Sequence, residues 1–302
     1  MLLLLSRATK GDTLTSTASD PLPSRSEAAL PALDSSSLTW KLFGDIRSTP
    51  IGLRTATLQA MHPGVGAVLW DSSRFRWELF DRLLRSLPPI LGVVYDDPAE
   101  RTGRTVRDFH KGRVGTDAYG RRWHALGPEV FFWVHATFVE SMVATQDHFG
   151  TPLTTAEKDQ LVAESHAYWN AYGVRAPREL WSDWVDFEAY WNDVLENRLD
   201  RNQTTDSVFV DRAAFVVVPT GVPPIVWRLV RRPVRGVSLW LTTGLLPEPA
   251  RQRLDRDWTR ADALMLTVIT ALVRHSWPVM PTQYRYFPRA RAGLGRARSC
   301  CR

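Results

Sequence analysis

Along most of the chain, apolar residues recur at spacings of three and four with little strict alternation, the pattern of helices that bury one face. Periodic apolar sequence runs from Leu38-Thr39-Trp40 to about Pro281. Residues 57–61 and 66–70 flank a turn at His62-Pro63-Gly64, and a helix over 74–87 is expected to end at Pro88-Pro89. The next start is signalled by Asp97 as N-cap, Pro98 at the first helical position and Glu100 three residues after the cap. That helix is predicted to reach Lys111 and stop at Gly112. The longest apolar helix begins after Gly127-Pro128 and ends near Gly150; another opens at Thr155 and lasts to about Tyr172. Further helices are predicted over 183–197, 224–244 with a break point at Pro233, 247–257 and 259–275. The run 208–218 has strand composition, but one segment has nothing to pair with. The predicted class is therefore mainly α, a single-domain multi-helix bundle over 38–290.

Outside that stretch the pattern fades. Residues 1–37 are rich in Ser, Thr, Pro and Ala and read as a disordered tail, and 291–302 as a basic disordered tail. The four leucines of MLLLLSRATKGD have no charged region before them and are too few for a signal-peptide core or a membrane span. No other segment reaches membrane-spanning length, so a soluble, cytoplasmic protein is expected. Cys300 and Cys301 are the only cysteines, adjacent and near the end, so the fold needs no disulfide. No C-x-x-C-H occurs, which excludes covalent c-type haem.

The net charge of +6 suggests a nucleic-acid partner only until its make-up is considered. Lys10, Lys41, Lys111 and Lys158 are the lysines; the other basic residues are arginines scattered among acids rather than gathered in a stripe. That skew fits a GC-rich coding bias, and no nucleic-acid partner is expected. Thirteen tryptophans suit a helical protein lined with aromatic pockets.

Two segments carry candidate chemistry. After Asp97, Arg101, Arg104, Thr105 and Asp108 recur at helical spacing and are predicted to share one face, either as a solvated surface with an Arg101–Asp108 or Arg104–Asp108 pair or as part of a site. In the long helix, Phe131, Phe132, His135, Phe138, Val139 and Met142 form one apolar face, and Glu140 is the only formal charge from Val130 to Ala144. His135 is either a core imidazole bonded to a carbonyl or carboxylate, or a ligand. As a ligand with no second His or carboxylate three or four residues on, it fits haem iron better than zinc, since a porphyrin already supplies four donors. H-E-x-x-H, G-x-S-x-G, the Walker A loop and the di-iron E-x-x-H are all absent, and Gly64-Val65-Gly66 lacks a third glycine and a βαβ context.

Taken together, HPGVGAVLW, RTGRTVRDFHKGRVG and WVHATFVES, with the later HAYWNAYGV, PPIVWRLVRRP and the segment 278–288, resemble the DUF2236 family over roughly residues 39–290. This superfamily contains MpaB-type oxygenases and the rubber oxygenases called latex clearing proteins. The resemblance implies that His135, 30 residues after Thr105, is the axial metal ligand of a non-covalent haem b, with dioxygen as co-substrate. It implies that Arg101 and Thr105 shape the haem pocket and that His110 either lines it or bonds a neighbouring helix. Two departures from the rubber enzymes stand out. Arg104 replaces their distal lysine, and Arg85 stands at the offset of their glutamate base, so rubber cleavage is not expected. The implied activity is a haem-dependent oxygenase with Arg101, Arg104 and Thr105 as catalytic residues, a small apolar, isoprenoid-like substrate and an unidentified electron donor. The alternative is a non-catalytic haem- or ligand-binding helical protein.

Overall fold

The computed structural model describes residues 33–72, 79–211, 215 and 217–300. Fifteen elements run in order: α1 Leu38–Leu42, α2 Thr49–Met61, α3 Pro63–Ser72, α4 Leu79–Tyr95, α5 Thr102–Asp108, β1 Val114–Thr116, β2 Arg122–His124, α6 Pro128–Phe149, α7 Thr155–Tyr172, α8 Trp184–Asn197, α9 Gln203–Phe209, α10 Pro224–Leu245, α11 Glu248–Arg253, α12 Arg260–Ser276 and α13 Pro288–Cys300. The mainly α expectation holds. The two short strands form an antiparallel hairpin, with Val114 opposite His124 and Thr116 opposite Arg122.

α6 is the central rod. Its packed face meets α2, α7 and α12, and the buried Trp133 stacks on Trp191 of α8 with ring centres 5.0 Å apart. Polar groups on this rod are tied to its neighbours. Trp133 Nε1 donates to the Leu58 carbonyl, Gln59 Nε2 donates to Thr137 Oγ1, and Arg54 makes a two-pronged ion pair with Glu140 at 2.6 and 2.7 Å. Arg54 Nε also donates to the Leu245 carbonyl at 2.7 Å, so one guanidinium joins α2, α6 and the end of α10. On α7, buried Glu164 accepts from the Leu38 and Thr39 amides and the Thr39 hydroxyl, satisfying the orphan donors at the start of α1.

Strong caps fix the helices that were most legible. Thr154 and Glu157 form a reciprocal capping box for α7, Thr259 and Asp262 another for α12, and Asp183 caps α8. The HPGVG stretch owes its glycines to close approach. A side chain at Gly64 would meet the Trp123 ring at 2.6 Å, one at Gly66 would meet the Ala60 carbonyl at 2.7 Å, and one at Gly115 would meet the Ala67 backbone at 2.3 Å. The hairpin therefore presses directly on α3.

Several expectations need correction. α4 does not end at Pro88-Pro89 but continues to Tyr95. The residues one turn before the two prolines, Leu84 and Arg85, are exposed to solvent, while α1, α5, α7 and α13 hold the helix. The start of that predicted helix, 74–78, lies outside the described residues. α10 likewise runs unbroken through Pro233, whose i−4 residue Leu229 is exposed. The helix expected from Asp97 is two pieces: a 3₁₀ turn Pro98–Glu100 capped by Asp97, then α5, separated by Arg101 in the left-handed region at φ 52°. Within 208–218, Val208 and Phe209 close α9 rather than opening a strand. The basic C-terminal stretch is not a disordered tail but α13. Arg289 bonds buried Asp96 and Arg296 Nη2 donates to the Tyr95 carbonyl at 2.7 Å, anchoring it on α4. Of the N-terminal tail, 1–32 lies outside the described residues, and Ser37 caps α1.

Candidate functional site

His135 lies in the middle of α6, 1 % exposed, and both of its ring nitrogens lack a hydrogen-bond partner. Aromatic rings close around it: Tyr168 at 5.2 Å, Trp169 at 5.3 Å and Tyr172 at 6.1 Å from α7, and Trp181 stacked parallel at 6.0 Å. The α7 contributors recur at helical spacing and so face α6 together. Trp181 belongs to the irregular segment between α7 and α8, where His166 Nε2 donates to its carbonyl at 2.8 Å and fixes its position. Phe132, one turn before His135, stacks on Trp181 at 4.4 Å.

Burial drives the His135 pKa down to about 3; the Ser165 carbonyl opposes this without hydrogen-bond geometry, and nearby His166 adds to it. The imidazole is neutral at physiological pH, with an unused lone pair on one nitrogen and only the Ser165 carbonyl near the ring. The Trp181 indole N–H beside it also lacks a partner, and the Tyr168 hydroxyl has the Tyr172 hydroxyl nearby but outside hydrogen-bond geometry. Unsatisfied buried polar atoms cost about 1–3 kcal/mol each, so several in mutual ring contact form an unusual concentration of unused bonding capacity.

This arrangement tests the haem expectation in two respects. The donor fits, because a neutral imidazole with an unused nitrogen, held in an apolar shell, is what an axial iron ligand requires. The space is taken, because four rings pack on the imidazole and a macrocycle enters only if some of them move. Trp181 is the one wall not carried by a helix. A cavity of about 350 Å³ is lined by Phe132, Tyr190, His62, Glu129, Arg178 and Arg198. Phe132 and Tyr190 of this lining are in ring contact with Trp181. His62 at its edge is held neutral, its pKa lowered to about 4 chiefly by burial and then by Arg198 and Arg121.

The other predicted residues sit elsewhere. Arg101, Arg104 and Thr105 are exposed, and no hydrogen bond, ion pair or ring contact among the described residues joins them to His135. The shared face assumed for them is broken, since Arg101 precedes α5 in a left-handed conformation. Neither Arg101 nor Arg104 pairs with Asp108, whose partners are Arg107 and Lys111. α5 instead abuts α7: a side chain at Gly103 would strike the Ala171 carbonyl at 2.4 Å, and Arg104 Nε lies 3.9 Å from where a side chain at Gly173 would be. Arg104 and Arg107 thus flank the C-terminal end of the helix that carries the cage, where cations are favoured. His110 is half-buried, donates from Nδ1 to the Val106 carbonyl at 2.8 Å and meets Phe131 edge-on at 5.7 Å. Phe131 in turn touches Trp169 and Tyr172, so His110 stands one ring behind the cage.

The sequence marks His135 as a candidate but not its enclosure. The aromatic spacing of Tyr168, Trp169 and Tyr172 was a usable signal; nothing in the sequence marked Trp181 as a neighbour. Among the described residues, no group of three or more His, Cys, Asp or Glu side chains is placed to hold a metal ion. The family model described as "ER-bound oxygenase mpaB/B'/Rubber oxygenase, catalytic domain" matches residues 40–275. No curated protein and no solved structure matches the chain.

Proposed function

Because the chain belongs to the family of mpaB-type and rubber oxygenase catalytic domains, we propose that it is a haem b-dependent oxygenase-type oxidoreductase acting on a small apolar, isoprenoid-like substrate. The observation that supports the haem assignment is the orphaned imidazole of His135 inside its aromatic cage. Haem b, when bound, would supply iron for chemistry on dioxygen, with electrons from a donor still to be identified. His135 would hold the iron through one ring nitrogen, and its low proton affinity keeps that nitrogen available down to acidic pH.

The chain's own residues have distinct parts in this reading. Trp169, Tyr172 and Phe132 keep water away and offer apolar surface to an alkene or alkyl chain. The Trp181 indole N–H is a donor free to meet a developing negative charge, and the Tyr168 hydroxyl, turned toward Tyr172, is a second donor within the cage. Trp181, on its irregular segment, is the wall that would swing to admit a ligand. Arg101, Arg104 and Thr105 belong to the proposal as the α5 edge at which a carboxylate of the cofactor would be met, and His110 as a buttress behind Phe131.

The absorption spectrum of the purified full chain, expressed with added haem precursor, tests the assignment. A Soret band that disappears in His135→Ala, with helical circular dichroism retained, is the expected result. No Soret band in the parent chain, or one unchanged in His135→Ala, would sink it. The ring packing that fills the space beside His135 is what favours a second reading, a ligand-binding protein without turnover. That reading predicts a stable Soret band and a reduced form that binds no dioxygen.

A further inference from the structure

Large apolar side chains that remain exposed are concentrated in one part of the molecule. Among the described residues, twelve of the nineteen lie between Ile225 and Tyr284, and the other seven are scattered. On α12 the stretch from Ala263 to Val273 has no charged residue, yet only Leu266 is buried in this helix. Leu264, Met265, Val268 and Leu272 stand exposed along one stripe, Leu272 by 65 %. On α10, Ile225 and Leu229 are one turn apart and exposed, Leu229 by 73 %, with Val226 and Val237 beside them. The two helices touch each other, and Trp240 of α10 and Val273 of α12 pack on the same apolar cluster as Leu266 and Trp258, whose ring lies 5.5 Å from that of Trp240. Patches of this kind on a folded chain mark an interaction surface.

Charge indicates what covers it. α10 has four arginines, Arg228, Arg231, Arg232 and Arg235, and no acid from Pro224 to Leu245. No ion pair satisfies any of the four among the described residues. The face of α10 that bears Ile225 and Leu229 continues at helical spacing through Arg232 and Gly236 to Trp240. There it lines a cavity of about 350 Å³ shared with Arg235 and Arg256. The Nε atoms of Arg235 and Arg256 are buried without partners. Of the two acids at the cavity, Asp262 is engaged by Trp240 Nε1 and by the Thr259 cap, leaving Asp257. A second copy of this chain, paired about a two-fold axis, would set these arginines against themselves.

We propose that the α10–α12 face lies on an anionic lipid bilayer. Its apolar stripe would enter the boundary between headgroups and acyl chains, and its arginines would face lipid phosphates. The cavity lined by Arg232, Arg235 and Arg256 would receive one headgroup phosphate, held by their guanidinium groups. No helix among the described residues is long and apolar enough to cross a membrane, so the mode is to lie on the surface rather than to span it. This inference stands whether or not His135 holds iron.

Vesicle co-sedimentation of the full chain tests it, using phosphatidylcholine vesicles with and without phosphatidylglycerol at low and high salt. Binding is expected to the anionic vesicles and to fall in high salt. Each exposed arginine replaced by glutamine should cost about fivefold in partitioning. Leu229→Glu with Leu272→Glu should abolish binding while circular dichroism and melting stay unchanged, since both residues are exposed. Equal binding to neutral vesicles, or no binding by a monomeric chain, overturns the proposal. So does a dimer in sedimentation analysis that Leu272→Glu dissociates, which would make the face a contact between copies. Inorganic phosphate protecting Arg235 from modification in a chain that ignores vesicles would show a free-anion site instead, and also overturns it.

Discussion

His135 and Glu140 lie five residues apart on α6, both drawn into a packed interior, and their surroundings differ sharply. Glu140 is fully engaged: Arg54 grips both carboxylate oxygens, and the same guanidinium goes on to the Leu245 carbonyl. Neither ring nitrogen of His135 has a partner in hydrogen-bond geometry, the Ser165 carbonyl being merely near, and the Trp181 indole N–H beside it is unpaired as well. Where a buried polar group serves architecture, the fold supplies its partners. Where the fold withholds them, as at His135, the missing partner is expected to come from outside the chain.

Four measurements separate the two. The largest effect should come from Arg54→Met, which strands the Glu140 charge against the bundle; a loss of about 3–5 kcal/mol in urea unfolding is expected. Adding Glu140→Leu to that variant should restore much of the loss, because a buried ion pair is worth far less than the penalty of breaking it from one side. If the double variant is as unstable as the single one, the pair is not the isolated structural unit described here. Third comes pH. The folded chain protonates His135 only near pH 3, against about 6.5 when unfolded, so the unfolded state binds more protons between those values. Stability is fully present above pH 6.5 and declines as the pH falls toward 3. His135→Phe should flatten that decline, leaving the contributions of His62, whose folded value is about 4, and of His110 and His148, which burial also lowers. The smallest effect is expected from His135→Phe at neutral pH, within about 1 kcal/mol of the parent in the same urea assay, since no hydrogen bond is lost. A loss comparable to that of Arg54→Met would mean that His135 is structural after all.

The sequence was most informative where a helix announces its own ends. Thr154 with Glu157, Asp183, and Thr259 with Asp262 bracket α7, α8 and α12 by local hydrogen bonds, and those bounds were legible within a residue or two. It was least informative where tertiary partners override composition. Pro88 and Pro89 are helix breakers by chemistry, yet packing against α13 and α5 carries α4 through them. The Arg- and Gly-rich stretch after Pro288 lacks an apolar face to advertise a helix, and its order comes from Asp96 and the Tyr95 carbonyl almost two hundred residues earlier. At the site, the position of His135 on an apolar helix could be read directly. The distance of Arg101, Arg104 and Thr105 from it could not, because the left-handed turn at Arg101 that reorients α5 follows no local rule for arginine.

The parallel stack of Trp181 on His135 gives the site an optical voice. An indole 6.0 Å from an imidazole is quenched by whatever changes that imidazole's charge or electronic structure. Protonation, metal capture and withdrawal of the Trp181 wall would each alter its emission in a different way, and subtracting the signal of Trp181→Phe isolates it from the other twelve tryptophans. The chain thus carries its own fluorescent probe of the proposed opening of the cage.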